Sequence, residues 1–338
     1  MKQIWITKAG LPDVLKTQTV PDPIPGNGEI RIRVAACGVN FADVLGRMGS
    51  YPDAPSIPYV PGYEVAGAID LVGQGVPDFK EGDNVFAATR FGGYSDVVCI
   101  PYKQAFKRLD WMPVTDAAAL PVNYMTAYMM LIVMGSLKPG DKVLIHNAGG
   151  GVGLAALDIC NIIGAETLGT ASPEKHPFLI ERGLRHPIDY RNRDFERAIQ
   201  DITGGRGVQL ILDPIGGKIW PKNYRSLSPT GRLVYFGVSS MTTGMKRSLL
   251  GLLRMLVWLP FYTPFKLMSD NKAVIGVNLG HMWQQTDMMQ EWMQQIVAWY
   301  DEALFRPHID QTFSFEDAAA AHHYIQARKN TGKVLLIP

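Results

Sequence analysis

The stretch KVLIHNAGGGVGLAA, residues 142–156, reads as a buried strand that enters a glycine turn and leaves it as an apolar helix. Glycines let a backbone turn tightly and come close to a pyrophosphate without Cβ clashes. The helix start beyond them presents free N–H groups and a partial positive charge to phosphate. Read as a dinucleotide fingerprint, Ala148, Gly150 and Gly153 fill the small positions, with alanine rather than glycine in the first. The expected pyrophosphate turn is Gly150, Gly151 and Val152. The next expected strand, 166–170, ends in Gly169-Thr170-Ala171-Ser172. An NAD site places a carboxylate there to hold the ribose hydroxyl. Here Glu174 comes only later and is followed by Lys175. A small residue, the Thr170 and Ser172 hydroxyls and a cation predict a 2′-phosphate, hence NADPH. The plainer reading of Lys175 is a solvated lysine at a helix start.

Outward from this core, strands are expected at 210–213, 233–237 and 274–279, alternating with helices. That alternation predicts a parallel, doubly wound sheet. Phe236, Gly237, Val238 and Ser239 would then end a strand at the carboxyl edge, where such sheets bind ligands. Upstream, Ala and Met at helical spacing predict a helix over 116–134. The first third carries short strands at 30–36, 63–72 and 84–88, separated by turn signals such as Pro25-Gly26-Asn27-Gly28. These predict a partly closed β-barrel. A helix at 286–305 and a strand at 333–337 return to this pattern, so the first domain is expected to be discontinuous.

A formal net charge of +2 on 338 residues recruits no nucleic acid. The cysteines, Cys37, Cys99 and Cys160, are far apart and make no metal-type cluster. Their sparse, odd count and the absence of a secretory pattern at the N-terminus predict a reducing, cytoplasmic setting. No apolar run approaches the roughly 20 residues of a membrane-spanning helix.

The runs PGYEVAG (61–67), GDNV (82–85) and AGGGVG (148–153) together resemble the medium-chain dehydrogenase/reductases along essentially the whole chain. GVNFADVLGRMGSYP (38–52) narrows the resemblance to the zinc-free quinone oxidoreductase-like group. VNYMTAYMML (122–131), GTASPEKH (169–176), HPIDYR (186–191) and NTGKVLLIP (330–338) narrow it to the branch containing the animal synaptic vesicle membrane protein. The resemblance implies an α/β chain with two domains. A GroES-like β-barrel catalytic domain would comprise 1–122 and 281–338, and a Rossmann NADPH-binding domain 123–280. It further implies a nicotinamide and substrate cleft between them, and a homodimer joined through the strand at 274–279. Thr126 would approach the nicotinamide, and Val277 and Leu279 would reach its carboxamide. Ser172, Lys175 and Tyr190 would surround the 2′-phosphate. Arg328 stands at the place of a phosphate-binding arginine, or is an ordinary surface arginine.

Zinc members of this superfamily use a Cys, a His and a distal Cys as catalytic ligands. Cys37 sits at the first position, but the second is Tyr63 in Gly62-Tyr63-Glu64, and the cysteines of the structural zinc lobe are absent. Tyrosine is a poor substitute for imidazole or thiolate at such a site, so no metal is expected. Without a Lewis acid, simple carbonyl reduction loses its main electrophile. A quinone or enone needs less help, because its product anion is delocalised. The expected catalytic residues are Asn40, Tyr51, Tyr63 and Thr126: Asn40 to donate to the acceptor oxygen, Tyr51 and Tyr63 to line the cleft. Asp43 is expected to support its loop. An alkenal or enoyl C=C reductase is the alternative enzyme.

Residues 241–268 stand apart. Leu249, Leu252, Leu253 and Leu256 form an apolar stripe, flanked by Lys246, Arg247, Arg254 and Lys266 and by Trp258, Phe261 and Tyr262. A lid or subunit contact is the preferred reading. Peripheral contact with a membrane surface, in an NADPH-binding lipid-associated protein, is the rival.

Overall fold

The computed structural model describes residues 1–242 and 257–338. The leucine stripe at 249–256, with Lys246, Arg247 and Arg254, lies outside the described residues. The chain forms two compact units, one of Met1–Met125 with Leu279–Pro338, the other of Thr126–Asn278.

The second unit is built on β1 (Lys142–His146), β2 (Glu166–Ala171), β3 (His186–Asp189), β4 (Val208–Asp213), β5 (Leu227–Tyr235) and β6 (Ala273–Gly276). All neighbours are parallel, in the order β3-β2-β1-β4-β5-β6. The order reverses between β1 and β4, which makes the carboxyl ends of these two strands the topological switch point. The middles of β1 and β4, Val143–Ile145 and Leu210–Leu212, are apolar and buried because both faces of a parallel sheet are covered. Leu144, Leu168, Ile211 and Leu233 are fully buried among Phe195, Ala198 and Tyr224 of the flanking helices.

Several elements differ from expectation. The helix after the glycine turn spans Gly151–Ile163, three residues earlier than the apolar run at 154 suggested. β5 ends at Tyr235, so Phe236 to Ser239 form the loop beyond it. β6 stops at Gly276; Val277 adds one more bond, N–H to the Tyr235 carbonyl at 2.9 Å, and Leu279–His281 turns away as a 3-10 segment. The single helix expected over 116–134 is divided into Val114–Ala117, Pro121–Tyr128 and a π-helical turn, Met129–Val133. Pro121 has no N–H to continue a helix, yet suits the first position of a new one. The 286–305 helix ends at Asp301, where Ala303 turns left-handed at φ 59°.

The first unit holds a seven-stranded, mainly antiparallel sheet centred on the long strand Glu29–Val39. Glu64–Val72 and Val97–Pro101 pair with it antiparallel, as does Lys333–Ile337 from the far end of the sequence. The discontinuity is thus a matter of strand pairing: Val334, Leu335 and Leu336 stand opposite Val39, Gly38 and Cys37. The core gathers Ile4, Ile30, Ile32, Val65 and Val85 with Phe315, Ala321 and Leu336.

Candidate active site

In the second unit, the glycine turn sits at the carboxyl end of β1, where phosphate is expected. Asn147 enters it in the left-handed region, φ 54°, which asparagine tolerates better than most residues. Gly150 donates back to the Asn147 carbonyl at 2.9 Å. A Cβ on Gly153 would stand 2.3 Å from that same carbonyl oxygen, and one on Gly150 would stand 2.6 Å from the Asn147 amide nitrogen. Only glycine closes this turn. The helix starting at Gly151 has no side-chain cap on its N-cap residue Gly150, so its first N–H groups, including those of Gly151 and Val152, are free to face an anion. Lys175 lies over the turn, its Cδ 2.8 Å from where a Gly149 Cβ would be. These residues fit a dinucleotide pyrophosphate.

A directed chain of buried hydrogen bonds holds the turn. Asp213 at the end of β4 accepts from the Ile215 and Gly216 N–H groups at 2.7 and 3.0 Å and from the Asn223 amide at 2.9 Å. Having given its N–H to Asp213, Asn223 uses its oxygen to accept from His146 Nε2 at 2.8 Å. His146 Nδ1 is then left to accept from the Thr170 hydroxyl, 3.1 Å away, and that oxygen accepts the Asn147 N–H at 3.2 Å. Burial lowers the basicity of His146, which favours the neutral imidazole this chain requires. Thr170 therefore braces the turn; its hydroxyl is committed on both sides and is not offered to a 2′-phosphate.

The ribose side is mixed in charge. The Ser172 hydroxyl and the Arg191 guanidinium, at 2.7 Å, hold the Glu174 carboxyl down at about 2. Tyr190 is half exposed beside them. Arg191, which sequence reasoning passed over, is the cation nearest Glu174; its position one residue after Tyr190 was the available signal. Phe236 donates its N–H to the Asp213 carbonyl and Ser239 donates to that of Pro214. That places residues 236–239, with Gly237 and Val238, beside the carboxyl end of β4. Thr126 is buried in the helix Pro121–Tyr128.

In the first unit, a cavity of about 100 Å³ is lined by Tyr51, Asp53, Tyr63, Arg90, Phe91, Gly280, His281 and Trp283. The Tyr63 ring meets Tyr51 edge-on, centroids 6.2 Å apart, and tilts against Phe91 at 5.1 Å. Burial, followed by the nearby Asp43 charge, drives the Tyr63 phenol far above its usual range, and burial with the Asp53 charge raises Tyr51. Both are neutral O–H groups at working pH, and the two hydroxyls are hydrogen-bonded to each other, so the pair keeps one proton to donate to a carbonyl oxygen. The 89–94 loop is strapped to 60–63: Thr89 donates to the Tyr63 carbonyl at 2.8 Å, Gly92 to Val60 at 2.9 Å and Tyr94 to Pro61 at 2.9 Å. Phe91 pays for this with a left-handed backbone, φ 69°, a conformation that costs a non-glycine residue roughly 1–2 kcal/mol. The sequence reading found Tyr51 and Tyr63 but missed Arg90, Phe91, His281 and Trp283. They come from distant segments, and no spacing links them.

Asn40 is not among the lining residues. It is buried, donating through Nδ2 to Glu64 at 2.8 Å and accepting from Lys333 Nζ at 2.8 Å. Lys333 and Glu64 form a buried ion pair, and the second Glu64 oxygen accepts the Val122 N–H at 2.8 Å. Asn40 thus joins three segments of the fold. Asp43 carries its loop as expected, accepting from the Asn40 and Gly62 N–H groups at 2.8 and 2.9 Å. Burial pushes its carboxyl up to about 7. Cys37 is fully buried, and burial raises its thiol. Among the described residues, no group of three His, Cys, Asp or Glu side chains is placed to hold a metal ion. Leu279 and Arg328 belong to the first unit; Arg328 is exposed, with φ 58°, just beyond the helix Ala318–Gln326. Val277 is buried beside β5.

Two family models match the chain, an alcohol dehydrogenase GroES-like domain over residues 26–111 and a zinc-binding dehydrogenase over 182–336. The chain is 42% identical to the synaptic vesicle membrane protein VAT-1 homolog of Mus musculus, covering 100% of this chain and 84% of the relative. Among solved structures, the quinone oxidoreductase of Escherichia coli complexed with NADPH superposes with a TM-score of 0.87 at 28% identity, covering 100% of both chains. The CurK enoyl reductase superposes with a TM-score of 0.85 at 28% identity, covering 99% of this chain and 98% of its own. The chain therefore belongs to the medium-chain dehydrogenase/reductase oxidoreductases, beside the VAT-1 homologs and with quinone oxidoreductases and enoyl reductases as structural neighbours.

Proposed function

We propose that this protein is an NADPH-dependent reductase of quinones or other conjugated carbonyls that works without zinc. The observation that carries the reading is the aromatic cavity of the first unit, where two neutral phenols, Tyr51 and Tyr63, stand together; by the sequence resemblance, Tyr63 falls where zinc members carry a ligating histidine. A conjugated acceptor lies flat against aromatic faces, and phenolic donors steady the oxyanion that develops on its carbonyl. When bound, the nicotinamide supplies the hydride. The chain's own part is to hold the pyrophosphate on Gly150 to Val152, to offer Lys175 to the adenosine phosphate, and to keep the acceptor among the aromatic rings of the cavity. The sparse, odd cysteine count favours a cytoplasmic setting, and the sequence resemblance a homodimer joined through the strand at 274–279. The test is NADPH consumption with phenanthrenequinone, repeated with NADH, followed by product analysis with an enone. Turnover of the quinone supports the proposal; reduction of the enone C=C bond alone would move the assignment to the enoyl reductases. No turnover with any acceptor, despite NADPH binding, would overturn it.

One observation favours a second reading, an NADPH-binding protein that rests on a membrane surface. Val257, Phe261 and Phe265 are 78%, 87% and 81% exposed, close to Lys266. Co-sedimentation with anionic liposomes that persists without any acceptor turnover would favour it.

A further inference from the structure

The walls of the first-unit cavity divide by chemistry. Tyr51, Tyr63, Phe91 and Trp283 supply rings, and a volume of about 100 Å³ suits one ring-sized body. The remaining side chains are charged or titratable: Asp53, His281 and Arg90. Asp53 is matched by His281, whose Nε2 lies 3.0 Å from its carboxylate. Arg90 is different. Among the described residues its guanidinium has neither an ion-pair nor a hydrogen-bond partner. Its backbone is nevertheless fixed, because Thr89 before it and Gly92 after it are bonded to the Tyr63 and Val60 carbonyls, and the Thr89 hydroxyl donates to Gly62 at 2.9 Å. The strained Phe91 completes this anchorage. Backbone strain persists only where surrounding structure over-determines it, and it clusters at functional sites. The strap thus holds a cation with uncommitted donors at the edge of an aromatic pocket whose one carboxylate among the described residues, Asp53, is already paired.

We infer that this cavity selects a conjugated ring bearing a carboxylate, with Arg90 as the specificity-determining residue. The ring packs among Tyr51, Tyr63, Phe91 and Trp283, and the carboxylate takes the planar guanidinium fork in a bidentate pair. This deepens the proposed reductase reading and rests on it for the nature of the ring; the recognition of the carboxylate is separable.

Two measurements keep them apart. The first is steady-state reduction by NADPH of menadione and of its 3-carboxymethyl derivative. The carboxylated quinone is expected to have a kcat/KM about tenfold higher, as one charge-assisted pair provides. Arg90→Ala should bring the two values together, and Arg90→Lys should restore part of the difference. The second is calorimetric titration with benzoate and benzamide, which needs no turnover. Benzoate should bind more tightly than benzamide to the native protein and lose that advantage in Arg90→Ala. Equal binding of the two, or an advantage that survives Arg90→Ala, overturns the inference. Benzoate selectivity that depends on Arg90, without turnover of either quinone, sustains the inference and overturns the reductase reading instead.

Discussion

Two side chains carry most of the chemistry argued above, and each makes a separable prediction. Replacing Lys175 by Ala should weaken NADPH binding about tenfold or more while changing NADH binding far less, because only NADPH carries the extra phosphate. Fluorescence titration with both nucleotides checks this, and equal losses would show that the lysine serves the shared pyrophosphate at the glycine turn its stem covers. Replacing Tyr63 by Phe removes one neutral donor and leaves the ring contacts with Tyr51 and Phe91. The expected loss in kcat for a quinone is about a hundredfold, the scale of one oxyanion-stabilising donor; unchanged kinetics would remove Tyr63 from the reaction. Residue types and their order made both positions legible in the sequence. The buried setting of Asn40 was not legible, for a physical reason. Its partners Glu64 and Lys333 are distant in sequence, and no local pattern announces that a buried charge pair will claim an amide.

Elements were read well where periodicity is strong and poorly where a single residue decides. The strands Asn84–Ala88 and Lys333–Ile337 lie where alternation and apolar runs placed them. The helix over 116–134 was broken by Pro121, and the left-handed Ala303 ended another early. The glycine turn was visible as a motif, but its brace was not, since Asp213, Asn223 and His146 meet only once β1, β2 and β4 are side by side. That brace predicts that Thr170→Val weakens NADPH and NADH alike, by about tenfold, through a loosened Asn147 and hence a misplaced pyrophosphate site. Thr170→Ser should retain binding, having the hydroxyl that completes the chain. A loss confined to NADPH would mean that the hydroxyl meets the 2′-phosphate after all.

Across the first unit, buried polar groups tie the beginning of the chain to its end. His322 lies 3.0 Å from the Tyr94 hydroxyl, and Arg47, with no exposed surface, donates to Gln326 at 2.6 Å. Burial, reinforced by the Arg47 charge, pulls the His322 imidazole from 6.5 down to about 3. A folded-state value below the unfolded one means that unfolding takes up a proton. The stability this histidine contributes is complete above pH 6.5 and is lost progressively as pH falls toward 3. Thermal melts of the native protein and of His322→Gln should therefore converge between neutral and acid pH. A constant gap would show that His322 does not stay neutral in the fold. None of this was legible in the sequence: of the neighbours His322 and His323 the first is buried and the second exposed, and no local pattern marks which of them Tyr94 will meet.

The pairing of residues 334–336 with residues 37–39 has a consequence for the order in which the protein can be made. Residues 126–278 form a continuous unit whose strands are all translated before residue 279. The first unit begins earlier but cannot close its sheet until Lys333–Ile337 arrives. On the ribosome the middle of the polypeptide is thus ready to fold first, while the apolar edge of Glu29–Val39 waits through nearly 300 residues of synthesis for its partner strand. That waiting edge is where a chaperone would be needed, and where a nascent chain stalled before residue 333 would aggregate.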